Sequence, residues 1–553
     1  MKQILHARAI VVIQVILLTA CAAPAPQEAP VEDRQANAAE AEQRAVALAE
    51  AEAALARGDA PAARFYLDQA RPPSGKNPPA RYQQALAELL ALEADPVGQA
   101  LAQAAATIEV LDPYDTLGGV SLMQAFEGVP SARLEALSQA STPLGTWSAL
   151  ALSVRRDLIA NAELLSAANA WQSAHPGHPV QAPEYMELCW QYRQQFQPPA
   201  RIAVLLPLEG SLGAAAEAIR DGMLTAWLDR PGAAQLDFMP VGDEAESALS
   251  AYHQAAQSGY QWVIGPLRRE STQLIAELEQ PPVPVLLLND PPNPVAPSLS
   301  APQRVFSLSL SQQAEAQALA RRLLELGYQR AMVLAADDSW GQGVEQAFID
   351  AYQAGQGEVI AIARFPTTQS DHSELLTSVL RIEDSLQRKA QLQSALGLVL
   401  EFEPSRRDDF DVIFLAADPV LGRQLKPQLR FFDTGSKPMY AMSRIFSGQV
   451  DAGADQDLNG IWFAATRAAL PDKNQATALA SARGGAFASL QALGADAWGV
   501  LPWLGLMQRD PDLVYPGDTG NLTILADGSL HREPLWLRFE KGRPGLPDTA
   551  STP

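Results

Sequence analysis

The sequence predicts an α-helical array followed by a two-lobed α/β domain, and three observations carry that expectation. At 553 residues the chain has room for about three to four domain-sized units of roughly 100 to 200 residues. Residues 37–197 are rich in Ala and Leu, with apolar positions at helical spacing. Beyond Pro198-Pro199 the pattern changes to short apolar runs alternating with amphipathic stretches, the pattern of parallel sheets covered on both faces by helices.

The first element is an export signal over residues 1–20. A short basic start (Lys2, His6, Arg8) leads into an apolar stretch from Ala9 to Leu18 that is interrupted by Gln14. That stretch is about half of the roughly 20 residues a membrane-spanning helix needs. It ends in Leu18-Thr19-Ala20-Cys21, which resembles the bacterial lipobox. The resemblance implies that Cys21 is acylated and becomes the new N-terminus; an ordinary signal peptide with an incidental cysteine is the alternative. Residue 22 is Ala rather than the Asp of inner-membrane retention, so the sorting rule of such lipoproteins implies the periplasmic face of the outer membrane. Residues 21–36 then read as the lipidated Cys and a flexible tether rich in Ala, Pro and acid.

The helical array is expected over 37–198, with breaks at Gly58-Asp59, Pro72-Pro73, Asp95-Pro96 and Asp112-Pro113. Ala45, Leu48, Ala49 and Leu55 precede the Gly58-Asp59 turn, and Ala62, Phe65, Tyr66 and Ala70 follow it. This alternation of small and large residues is how tetratricopeptide-like helix pairs pack, and also how Ala-rich helices pack in other proteins. The stretch from Trp147 to Trp171 closes the array, and His175-Pro176-Gly177-His178-Pro179 stops it. These histidines have no acid or thiol neighbours, and Cys21 and Cys189 are the chain's two cysteines, so neither a metal site nor a cofactor is expected. With Cys21 acylated, Cys189 would be the remaining thiol, and no intramolecular disulfide could form.

The α/β domain is expected over 199–546, with a flexible tail at 547–553. The run RIAVLL at 201–206 suits a buried parallel strand, and residues 214–230 form an amphipathic helix. Further strands are expected at 236–241, 261–264, 284–288, 330–335, 357–365, 411–416 and 438–442. About 340 residues exceed one doubly wound sheet, hence two lobes. Forty-one basic against 63 acidic side chains give a net charge of −22, which argues against nucleic acid or anionic lipid surfaces as partners.

In open α/β sheets ligands bind beyond the carboxyl ends of the strands, here the loops at 207–213, 265–270, 289–290 and 337–341. The succession LLPLEGSLG, VIGPL, PVLLLND and DDSWGQGVEQAF resembles the type I periplasmic solute-binding proteins, which implies a periplasmic-binding-protein-like domain with an interlobe groove. The candidate groove residues are Gly265, Pro266, Ser271, Asn289, Asp290, Trp340, Ser443 and Arg444. Relatives that hold amino acids place Ser or Thr soon after the Gly-Pro. Here Arg268-Arg269-Glu270 stands in that place, which speaks against a free amino acid in the groove, although Ser271-Thr272 one turn later could still serve. Trp340 either covers a ligand or packs the lobes together.

No catalytic constellation emerges. No Ser is followed by Lys three residues later, and KTG, GxSxG, HExxH and GxxxxGK[ST] are missing. The acidic doublets Asp337-Asp338 and Asp408-Asp409 place their side chains on diverging faces. The segments DVIFLAADPVLGRQLKPQLRFFDTGSKPMYAMSRIFSG, DQDLNGIWFA, LQALGADAWG and DTGNLTILADGSLHREPLWLRFEKG closely resemble the LpoA family of outer-membrane lipoproteins. The resemblance implies a non-enzymatic activator that binds a class A penicillin-binding protein, a bifunctional peptidoglycan synthase, and stimulates its peptide cross-linking. The alternative is a lipoprotein receptor that delivers a small solute to an ABC importer.

Overall fold

The computed structural model describes residues 31–73, 77–111, 116–229, 234–293, 303–399, 401–467 and 487–546. Residues 1–20, Cys21, the Asp112-Pro113 break and the tail at 547–553 lie outside the described residues. The chain divides into two compact units, the division falling after Glu109.

In the first unit α1 (Val31–Ala56), α2 (Ala60–Ala70) and α3 (Ala80–Leu92) precede α4 (Pro96–Val110). Helix α1 begins inside the stretch expected to be a tether, because Pro30 is followed by residues of high helix propensity, VEDRQANAAEAEQRA. The Asp59 carboxylate caps α2 by accepting from the Ala62 N–H at 3.1 Å. Small residues Ala51, Ala54, Ala63 and Ala85 let the helices approach closely around Leu67 and Leu89. Glu52 on α1 pairs with Arg81 on α3 at 2.5 Å.

The second unit opens with further helices, α5 (Thr116–Phe126), α6 (Ser131–Ser138), α7 (Pro143–Ile159), α8 (Leu164–Ala174) and α9 (Ala182–Arg193). Trp147 on α7 and Trp171 on α8 meet His178 edge-on at 4.8 and 5.1 Å, so the loop that stops the helices is pinned into their core. Helices α5 to α9 belong to the same compact unit as the α/β lobes, and a buried Arg155–Asp510 ion pair spans Pro198-Pro199.

The first lobe is a sheet in the order β2-β1-β3-β4-β5, built from β1 (Arg201–Leu206), β2 (Gln235–Pro240), β3 (Trp262–Ile264), β4 (Val285–Leu287) and β5 (Val305–Ser307). All its pairings are parallel. Helices α10 (Gly213–Asp229), α11 (Ala245–Gln257) and α12 (Arg269–Ala276) connect its strands. After β5, α13 (Gln312–Glu325) enters the second lobe, whose strands are β6 (Arg330–Ala336), β7 (Glu358–Phe365), β8 (Val412–Ala416), β9 (Met439–Ala441) and β10 (Ile461–Ala465). Helices α14 (Ser339–Ala354), α15 (Ser373–Val379), α16 (Ile382–Leu396) and α17 (Pro419–Phe431) connect them.

The chain then returns to the first lobe. Helix Ala488–Gly499 packs on α10 so closely that a Cβ on Gly222 would stand 1.9 Å from the Gln491 carbonyl oxygen, and one on Gly494 2.0 Å from that of Ile219. A short helix Leu504–Arg509 follows, with a small antiparallel sheet of β11 (Tyr515–Pro516), β12 (Asn521–Ile524) and β13 (Leu530–Glu533). Finally β14 (Leu535–Glu540) and β15 (Arg543–Gly545) join the second sheet antiparallel, giving β15-β14-β10-β9-β8-β6-β7. The sheets expected to be parallel thus carry an antiparallel extension, because β14 re-enters the second lobe directly from β13 instead of through a crossover helix.

Candidate functional site

The candidate groove residues lie on the loops that follow β3, β4 and β9 and in the first turns of α12 and α14, the helices after β3 and β6. Gly265 ends β3 with φ +97°, and a Cβ there would meet the Leu205 carbonyl oxygen at 2.2 Å, so only glycine lets this loop lie against β1. The Pro266 carbonyl accepts from the Leu288 N–H at 3.1 Å, and the Asn289 amide donates to the Leu267 carbonyl at 3.1 Å. Gly265, Pro266 and Asn289 therefore knit the end of β3 to the end of β4.

Ser271 and Thr272 occupy the inner face of α12 with Ile275 and Ala276, and all four are buried. Thr272 donates its hydroxyl to the Arg269 carbonyl at 2.8 Å. The arginines of the preceding triplet lace the rim. Arg268 pairs with Asp243 and donates to the Ser211 hydroxyl at 3.3 Å, tying down the GSLG turn, and Arg269 donates to the Asp290 carbonyl at 3.4 Å. Asp290 in turn accepts from the Ser307 hydroxyl at 3.2 Å and from that of Ser309.

On the second lobe the Arg444 guanidinium stands over the Trp340 ring at 4.5 Å, a cation–π contact. The Trp340 indole N–H donates to Gln312 at 3.4 Å. Trp340 also packs partly buried against the apolar clusters on both faces of the sheet. The Ser443 N–H donates to the Glu315 carboxylate at 2.6 Å.

Glu315 is the residue that sequence reasoning missed. It sits in the first turn of α13, where the Ser311 hydroxyl caps the helix, and is 2% exposed. Its second oxygen faces Arg532 of β13 at 3.5 Å, and Arg532 donates to the Thr519 carbonyl at 3.2 Å. Thr519 donates its N–H and hydroxyl to Asp496 at 2.8 and 2.6 Å. Burial lifts the Asp496 carboxyl to about 7, against these hydrogen bonds and that from the Asp518 N–H. Ser443, Glu315, Arg532, Thr519 and Asp496 thus form one polar chain from the second lobe to the helix that packs on the first. A buried carboxylate demands such partners, yet they lie too far apart in sequence for any local motif to announce them.

A cavity of about 870 Å³ opens beside this chain, with Asp290, Ser307, Ser309, Glu315 and Arg532 on its wall. Asp290 is the one candidate groove residue that lines it, and Asn293 and Gln303, which flank the undescribed residues 294–302, border it too. Of the charged groups on its wall, Asp290, Glu315 and Arg532 hold one another or neighbouring hydroxyl and carbonyl groups. In the helices, burial pushes the Cys189 thiol up to about 12, which makes it a packing residue rather than a nucleophile. Among the described residues, no helix is long and apolar enough to cross a membrane.

Comparison with known proteins bears on the whole assembly. A family model described as "LppC putative lipoprotein" matches residues 38–542. The chain is 27% identical over 389 residues to the penicillin-binding protein activator LpoA of Vibrio antiquarius, a match that covers 68% of this chain and 63% of that relative. The LpoA of Photobacterium profundum is 27% identical over 433 residues, 76% of this chain and 69% of its own length. The match thus spans less than two thirds of the Vibrio relative. In three dimensions the chain resembles Haemophilus influenzae LpoA, with a TM-score of 0.51 and 20% identity over 90% of this chain and 87% of that one, a likeness of fold.

Proposed function

We propose that this chain, which belongs to the LppC lipoprotein family, is a lipid-anchored, non-enzymatic activator that binds a class A penicillin-binding protein and stimulates peptide cross-linking. The observation that carries the reading is the extent of the family match, which runs from the first helical unit through both lobes. Curated relatives that match 389 and 433 residues of the chain are named as penicillin-binding protein activators.

The groove supports the same reading. A solute receptor keeps a few convergent polar groups free to orient its ligand. Here Asp290 is held by Ser307 and Ser309, the Ser443 N–H by Glu315, and Trp340 lies under Arg444. An activator uses its outer surface, and it acts by binding one conformation of the synthase more tightly than another. A coupling of about 1 to 3 kcal/mol corresponds to a roughly 5- to 150-fold shift.

Cys21 carries the anchor in this reading, with the protein on the periplasmic face of the outer membrane. The domain boundaries at 37–198 and 199–546 are proposed as the arm and the docking module. Binding tests the reading: the chain lacking residues 1–21 should bind a detergent-solubilised class A penicillin-binding protein. A monofunctional transpeptidase, the comparison, should bind far more weakly. Equal binding to both, or to neither, would refute it.

A further inference from the structure

We propose that the outer face of α17 is the docking surface for the penicillin-binding protein, and that it receives an acidic, apolar segment of that partner. The proposal rests on the function proposed above and adds where the contact is made.

Helix α17, PVLGRQLKPQLRF, is fixed to the second lobe by one face. Asp418 caps its N-terminus, and Leu421, Gly422, Leu425 and Leu429 are buried. A Cβ on Gly422 would meet Ile445 at 2.3 Å, so the helix cannot roll. At 100° per residue the opposite face brings Val420, Pro427 and Phe431 into one row. Val420 is 58% exposed, Phe431 84% exposed, and Pro427 is exposed as well. Apolar side chains that share one exposed row, unlike single scattered ones, mark an interaction surface.

The charge along this row is the second observation. The chain has a net charge of −22, yet α17 contains Arg423, Lys426 and Arg430 and no acid. Arg423 pairs with Asp455 at 2.7 Å, whereas no carboxylate of a described residue pairs with Lys426 or Arg430. Burial, then Arg430 and Arg538, lower the Lys426 ammonium. Such cations beside an apolar row select an acidic partner surface, which most of this molecule would repel.

The third observation is a cavity of about 480 Å³ at the C-terminal end of the row, lined by Phe431, Phe432, Ile382 and Arg406 and by the acids Asp408 and Asp433. Arg406 there pairs with Asp408, which also pairs with Lys437. An exposed aromatic beside a pocket with a charged rim has the anatomy of an interface hot spot. A partner side chain would enter the pocket while acidic groups met Lys426 and Arg430.

The test is the affinity of a detergent-solubilised class A penicillin-binding protein for the chain lacking residues 1–21. Phe431→Ala, and Lys426→Glu combined with Arg430→Glu, should each raise Kd at least about tenfold. The effect of the charge reversal should shrink as salt rises. Trp190→Ala, an exposed aromatic on α9, should stay within about twofold of wild type, a margin that a tenfold hot-spot loss clears easily. Should Phe431→Ala lower Tm, Val420→Ala and the charge reversal read the same face without it. Unchanged Kd in these α17 variants alongside tight wild-type binding would overturn the docking site and leave the function standing. No binding by wild type would overturn both. A dimer of this chain lost in Phe431→Ala, with synthase binding kept, would assign the face to a second copy and overturn the proposal.

Discussion

The Arg155 guanidinium donates to the Asp510 carboxylate at 2.6 Å, with Arg155 4% and Asp510 0% exposed. Arg155 also donates to the carbonyls of Phe126 and Val129, and Asp510 accepts from the Ser131 N–H and hydroxyl. The residue that ends helix Leu504–Arg509 thereby accepts the first N–H of α6, and the stacked rings of Phe196 and Trp503, 4.8 Å apart, extend the seam.

Breaking this pair should be costly. Asp510→Ala leaves a buried guanidinium unpaired, and a loss of about 3 to 5 kcal/mol is expected, read by denaturant unfolding. By the same logic a fragment of residues 199–546 exposes Asp510 and Trp503 and should unfold at lower denaturant than one starting at residue 116. Equal midpoints would show that the seam contributes nothing.

Gly222→Ala should destabilise although it sits in a helix, where Ala usually gains up to about 1 kcal/mol over Gly. The added Cβ would stand 1.9 Å from the Gln491 carbonyl oxygen, so α10 and helix Ala488–Gly499 must separate, at a cost of about 1 to 3 kcal/mol. A raised Tm would contradict this packing.

His178 should make the helices of the second unit acid-sensitive. Burial, reinforced by charge on His175, holds its imidazole down to about 4, and its Nδ1 accepts from the Val180 N–H at 3.0 Å. The folded chain keeps it neutral while the unfolded chain takes up a proton below about 6.5. Its contribution is therefore complete above about pH 6.5 and is lost as pH falls through about 4. Unfolding free energies across this window should fall less steeply in His178→Gln; an unchanged slope would mean that the ring is hydrated.

Much of this architecture is legible in the sequence, and the part that is not has a physical reason. The run RIAVLL coincides with β1, and the helix expected at 214–230 is α10 shifted by one residue, because periodicity is local. Strand β5 is three residues long, and β14 finds its place beside β10 only through the fold, with Leu537 opposite Phe463, so neither announces itself. The loops that carry Gly265 and Asn289 follow strands as expected, and Trp340 stands in the first turn of the helix after β6. The burial of Ser271 and the role of Glu315 did not follow, because Ser443 and Arg532 come to Glu315 only through the fold: Ser443 is 128 residues away.

If the groove serves the architecture and not a ligand, Trp340→Ala combined with Asp290→Ala should leave synthase stimulation largely intact in protein that remains folded. Thermal stabilisation of wild type by amino acids or muropeptides, without stimulation, would favour a solute receptor.

The most direct measurement is peptide cross-linking by a purified class A penicillin-binding protein acting on lipid II, with and without this chain lacking residues 1–21. The account expects cross-linking to rise when the chain is added, in proportion to occupancy of the synthase. Unchanged cross-linking at saturating, demonstrated binding would contradict it.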